Sequence, residues 1–107
     1  MNDIPAIYQG KLRPLEEIRV SPLSRAYTFS DSIYEVVPYF KGKALCFREH
    51  FDRMKNSAHL MDLKVDFESV SSDLNLLSET LAEKDGYIYY QITRGIDPIR
   101  SHLYQDD

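Results

Sequence analysis

Arg100 and His102 alternate in a polar segment that follows a long strand-like run. A guanidinium can hold a carboxylate through two parallel hydrogen bonds, and an imidazole or phenol beside it adds a donor. Loops at strand ends are frequent places of substrate contact. On composition alone the commoner reading of such a pair is a solvated tail, because surface Arg and His are common. Arg53 is a second candidate. It lies two positions from Phe51 and one from Met54, at the border of an apolar helix face. Its stem could cover the core while its head reaches water, or its head could anchor an anion. Tyr34 and Glu35 are neighbours in an extended run, so their side chains take opposite faces. Glu35 either looks to solvent on a half-exposed sheet or is an unusual acid on the covered side.

Other chemistry is not written in the chain. There is no GxxxxGK[ST] phosphate loop, no GxGxxG, no HExxH and no GxSxG. His50, His59 and His102 have no ligand-like spacing with Cys46, the only cysteine, and no metal site is expected.

These side chains need a frame. Ile7–Tyr8, Gln9-Gly10 and Lys11–Leu12 read as a hairpin with glycine in the turn. Leu15 to Val20 reads as a further extended stretch, broken at Ser21-Pro22-Leu23-Ser24 and followed by a helical turn. Ile33 to Phe40 is rich in β-branched and aromatic residues and is a strand, with Pro38 at an edge or bulge. Lys41-Gly42-Lys43 turns it into a partner at Ala44-Leu45-Cys46. Phe47, Phe51, Met54, Ala58 and Met61 recur at helical spacing, and so do Phe67, Val70, Leu74, Leu77 and Leu81. Asp66 is placed to cap the second helix, and Asp85-Gly86 to stop it. Gly86 to Thr93 is bulky on both faces and reads as a central strand ended by Arg94-Gly95. The order predicts an α+β, two-layer domain: a mostly antiparallel sheet with two helices packed on one face.

The chain has 107 residues, eight tyrosines, five phenylalanines and a formal charge of −4 with both signs mixed. That length fits one domain, residues 1–107. No cluster of Lys and Arg points to nucleic acid or an anionic membrane. No run approaches about 18 apolar residues, and the N-terminus is not of the secretory type, so a cytoplasmic protein is expected.

Three runs together resemble a known family. Ser24-Arg25-Ala26-Tyr27-Thr28-Phe29-Ser30-Asp31-Ser32-Ile33-Tyr34-Glu35-Val36-Val37 resembles the DRGxxFGDGVYEVV segment of class IV (fold-type IV) aminotransferases. Phe47-Arg48-Glu49-His50-Phe51-Asp52-Arg53-Met54 resembles their FxxEHxDRL helix. Tyr89-Tyr90-Gln91-Ile92-Thr93-Arg94-Gly95, with Arg100-Ser101-His102 after it, resembles the YxQxTRG…RxH segment of D-amino-acid transaminases. The motifs stand in order and cover essentially the whole chain.

The resemblance implies the N-terminal domain of a pyridoxal-phosphate-dependent aminotransferase acting on a D-amino acid and a 2-oxo acid. It implies that Arg53 contacts the cofactor phosphate, that Tyr34, Arg100 and His102 form the substrate-carboxylate trap, and that the protein is a homodimer. Glu35 is a candidate for shaping the site. The family's cofactor-bonding lysine belongs to a C-terminal domain, so this chain alone is expected to be inactive and not to bind the cofactor. Lys11, Lys41, Lys43, Lys55, Lys64 and Lys84 fall outside the motifs, on positions read as turns or helices. An aminodeoxychorismate lyase, a branched-chain aminotransferase, or a non-catalytic dimerisation module of the same fold are the alternatives. Three departures stand out: Ala26, Ser30 and Ser32 replace glycines, Ser24 replaces an aspartate, and four residues separate Gly95 from Arg100, one more than the family pattern.

Overall fold

The computed structural model describes residues 4–96. The elements run β1 (Pro5–Tyr8), β2 (Lys11–Pro14), a 3-10 turn (Leu15–Glu17), α1 (Arg25–Phe29), β3 (Ser32–Phe40), β4 (Lys43–Ala44), α2 (Phe47–Leu60), α3 (Phe67–Glu79) and β5 (Gly86–Thr93). All strand pairs are antiparallel. The β1–β2 hairpin is separate from a three-stranded sheet of order β4-β3-β5. This is the expected α+β architecture, and α1 stands where a helical turn was expected after Ser24.

The long helices form where apolar spacing requires them. Met54 and Ala58 of α2 are buried with Ile33, and Phe47 and Phe51 pack at the edge of a neighbouring cluster. That cluster joins Leu74 of α3 to Val37, Tyr39 and Ile88 of the sheet. Asp66 caps α3 by accepting from the backbone N–H groups of Glu68 and Ser69. α2 lies over β3, while α3 touches β5 and the β1 strand. Ile33, Glu35, Val37 and Tyr39 face the helices, and Tyr34, Val36 and Phe40 face away.

Several expectations need correction. Leu15 to Val20 is not extended throughout, since Leu15–Glu17 closes a 3-10 turn in which Ile18 donates to the Leu15 carbonyl. α3 ends at Glu79, well before Asp85-Gly86. Lys11 and Lys43 lie on strands rather than turns. Among the described residues β5 pairs only with β3, so β3 is the central strand and β5 an edge. Pro38 nevertheless sits beside a short partner. β4 pairs only with Tyr39 and Phe40, and the Pro38 carbonyl accepts from Leu45 just past its end. From Ser32 to Val37, the β3 edge away from β5 has no strand partner among the described residues.

The Lys41-Gly42 turn docks on another turn. Lys41 N–H donates to Asp85 Oδ1 at 2.8 Å, and Gly42 N–H to the Lys84 carbonyl at 3.0 Å. Gly42 has φ of +80°, and a Cβ there would stand 2.0 Å from the Ala82 carbonyl oxygen.

Candidate functional site

Glu35 is the buried acid, not the solvent-facing one. It is 5% exposed on the helix-covered face of β3. Burial of a carboxylate is tolerated only when its lone pairs are satisfied. Here Arg53 reaches down from α2 and grips it with two parallel bonds, Nε to Oε2 and Nη2 to Oε1, each 2.7 Å. His50, one helical turn earlier on the same face, meets Oε1 through Nδ1 at 2.8 Å. A carboxylate only accepts, so His50 Nδ1 carries the proton.

The Arg53 hydrogen bonds hold the Glu35 carboxyl below its ordinary value, against the opposing effect of burial; His50 adds to the lowering. Arg53 itself is raised by the same partner. Its side chain is 65% exposed, so the guanidinium edge not bound to Glu35 opens to solvent. This is a held, outward-facing fork with the geometry that an oxyanion needs.

Tyr90 stands opposite Glu35 in the register of β3 and β5. Its hydroxyl is buried and has no hydrogen-bond partner among the described residues. Burial first, then the negative charge of Glu35, pushes the phenol up to about 12, so it remains a neutral donor.

Tyr34 lies on the other side of the sheet. It is 63% exposed and stacks on Tyr89, with ring centroids 5.6 Å apart. Tyr89 donates to Gln91 Oε1 at 2.7 Å, and Gln91 Nε2 donates to Ser32 Oγ at 2.8 Å. Val36, Phe40 and Tyr87 extend this face as exposed apolar surface. Tyr34 and Arg53 therefore serve adjacent positions of one strand from opposite faces. Arg100 and His102 lie outside the described residues.

A second charged cluster was missed, although its members stand within the quoted motifs. Asp31 Oδ2 accepts from Arg25 Nε and from Arg94 Nε, both at 2.8 Å. The side chains are 10%, 6% and 8% exposed. Arg94 also donates to the carbonyls of Met61 and Asp62, at the end of α2, and Arg25 N–H donates to the Gly95 carbonyl. The clasp thus fixes where the chain leaves β5. Burial pushes the Asp31 carboxyl up, but the two arginines outweigh it and hold it below its ordinary value. The sequence signal is Arg25 and Arg94 standing in two of the quoted motifs, with Asp31 six residues after the first.

Of the three positions where glycines are replaced, one bears on backbone freedom. Ser30 ends α1 at φ +53° in the left-handed region. Ala26 lies inside that helix and Ser32 in β3, and neither has a positive φ.

Both buried carboxyls titrate lower in the folded protein than their ordinary values of 4.5 for Glu35 and 3.8 for Asp31. The stability they contribute is fully present above those values and is lost as pH falls through the lower folded ones. The urea midpoint is expected to be flat between about pH 7 and 5 and to fall progressively below about pH 4.5. A midpoint that rose on acidification would contradict this assignment.

Among the described residues no cluster of three or more His, Cys, Asp or Glu could hold a metal ion, and no helix is long and apolar enough to cross a membrane.

A family model described as "Amino-transferase class IV" matches residues 32–106. The chain is 37% identical over 95 residues to a D-alanine aminotransferase of Listeria monocytogenes serotype 1/2a (strain 10403S), covering 86% of this chain and 32% of that protein. It is 32% identical over 100 residues to a D-alanine aminotransferase of Bacillus licheniformis, covering 92% and 35%. The chain thus spans about a third of the length of these relatives. Among solved structures, the 4-amino-4-deoxychorismate lyase of Pseudomonas aeruginosa superposes with a TM-score of 0.75 at 20% identity, covering 89% of this chain and 33% of that one. A hypothetical aminotransferase from Mycobacterium tuberculosis, in a PLP-bound form, gives 0.73 at 18% identity, covering 85% and 34%. At those identities the likeness shows the shared fold.

Proposed function

The chain belongs to the class IV aminotransferases, and from that premise we propose that it is the N-terminal domain of an enzyme moving an amino group between a D-amino acid and a 2-oxo acid. The observation that carries this reading is Arg53: a guanidinium held on one edge by a buried carboxylate and open on the other, in a chain 37% identical to a D-alanine aminotransferase. Pyridoxal phosphate, when bound, supplies the electron sink that lets the substrate Cα lose its proton.

The residues present fit the cofactor's phosphate end. Arg53 offers unused N–H donors, and phosphate oxygens only accept. Its charge is largely offset by Glu35, so Arg53 binds by directed hydrogen bonds, and the balance of the phosphate charge falls to groups elsewhere in the full-length protein. Tyr34 would contact the substrate from the opposite face, where its hydroxyl can donate to a carboxylate. Tyr34 stacks on Tyr89 of β5, so the phosphate and substrate contacts would lie on opposite faces of β3. Arg100 and His102 are proposed to complete the carboxylate trap from a second subunit of a homodimer. The exposed Tyr34, Val36, Phe40, Tyr87 and Tyr89 face supports a partner surface there. This chain alone is proposed to be inactive, because the cofactor-bonding lysine of the family lies in the remaining two-thirds.

The test uses the full-length protein with pyridoxal phosphate. Amino transfer from D-alanine to 2-oxoglutarate should exceed transfer from L-leucine by at least about tenfold, and the same preparation should sediment as a dimer. Preference for L-leucine would assign a branched-chain aminotransferase, and cleavage of aminodeoxychorismate without transfer would assign the lyase. Absence of all three activities would favour a non-catalytic module.

A further inference from the structure

We propose that Glu35 and His50 are positioning residues that set Arg53 as an oriented anion-binding fork. The inference rests on the reading of Arg53 as the phosphate anchor. A helix-surface arginine with 65% of its side chain exposed would ordinarily sample many rotamers. Arg53 is denied that freedom. Two of its nitrogens are bound to two oxygens of one carboxylate, each at 2.7 Å, which fixes the guanidinium plane as well as its place.

The carboxylate is itself held from more than one side. Glu35 stands on the central strand, paired with Tyr90 across β5, and is 5% exposed. His50 pins Oε1 from a second direction at 2.8 Å. His50 and Arg53 stand three residues apart on α2, and both reach Glu35 on β3, so the two side chains tie helix to strand at one carboxylate. An anion arriving at the free edge of Arg53 meets donors whose orientation is already set, and preorganised donors bind more tightly than mobile ones. A merely structural ion pair tying α2 to β3 would make the same contacts, so the test must read orientation rather than stability.

The experiment measures how tightly the apo form of the full-length protein binds pyridoxal phosphate and pyridoxal, which lacks the phosphate. Arg53→Lys keeps the charge and removes the fork, and Glu35→Gln keeps the shape and removes the bidentate grip. Glu35→Gln should weaken pyridoxal phosphate by about tenfold while leaving pyridoxal within about twofold. His50→Gln should act in the same direction by about threefold. The double variant Glu35→Gln/Arg53→Lys should be no weaker than Arg53→Lys alone, because the two residues act as one unit. Equal weakening of both ligands, or additive effects, would show that Glu35 serves the fold only and would overturn the inference. If Arg53→Lys itself left the preference for the phosphorylated ligand unchanged, the anchor reading would fall first. Should Glu35→Gln not fold, Glu35→Asp keeps the charge and withdraws the carboxylate by one methylene. It should then reproduce the selective loss at smaller size, and an unselective loss would count against the proposal.

Discussion

Replacing Asp31 by alanine is expected to lower stability by roughly 3–5 kcal/mol, the cost of removing one partner from a buried ion pair. The reason is the shared oxygen: Asp31 Oδ2 accepts from both Arg25 and Arg94, whose side chains are 6% and 8% exposed. The substitution takes from two buried guanidiniums the carboxylate that they share. For a domain of this size each kcal/mol moves the melting temperature by about 4–8 °C, so a loss of tens of degrees is expected. Asp31→Asn keeps an acceptor and drops the charge, and should fall between wild type and alanine. Thermal unfolding followed by circular dichroism would decide. A loss below about 1 kcal/mol for Asp31→Ala would mean that the cluster is solvated well enough to stand without its acid.

Gly42→Ala is expected to be the second most damaging change, although it adds one methyl group. Gly42 and Gly10 have nearly the same φ, +80° and +79°. A Cβ at Gly10 would meet nothing within 4 Å, while one at Gly42 would meet Ala82 backbone oxygen at 2.0 Å. Gly10→Ala should therefore cost only the conformational penalty, about 1 kcal/mol. Gly42→Ala carries that penalty and must also displace the Ala82–Lys84 turn, which adds the 1–3 kcal/mol typical of overpacking, for a total of roughly 2–4 kcal/mol. The displacement also endangers the bonds from Lys41 to Asp85 and from Gly42 to Lys84. Equal urea midpoints for the two variants would refute the close approach.

The long elements were legible because their residues repeat. Phe47, Phe51, Met54 and Ala58 mark one helix face, and Met54 and Ala58 are indeed buried. The end of α3 was not legible, because Leu77 and Leu81 continue the period while the backbone does not. Ser78 and Thr80 turn their hydroxyls back onto the Asn75 and Leu77 carbonyls, and Ala82 goes to φ +52°. Leu81 still packs on the core from outside the helix. The 3-10 turn at Leu15–Glu17 is a single turn and has no period to read.

At the site, alternation told that Tyr34 and Glu35 part company, but not which of them goes under the helices. Both parities of β3 are apolar: Ile33, Val37 and Tyr39 on one, Val36 and Phe40 on the other. Only the helix-borne partners His50 and Arg53 decide it. Arg25, Asp31 and Arg94 were unreadable as a group for another reason. Asp31 and Arg94 are 63 positions apart and meet only once β3 and β5 are paired.

The placement of Tyr34 and Glu35 on opposite faces of β3 limits how this gene can vary. A deletion of one codon within the run that precedes them would rotate every later side chain of the strand by half a turn. The acid would then be presented where the aromatic stack now stands, and Val36 would be buried against Arg53. Substitutions along β3 can be accepted one at a time, whereas a change of length has no single-step repair. Natural variants of this strand should therefore differ in letters and keep their count, with insertions collecting instead in the turns at its two ends.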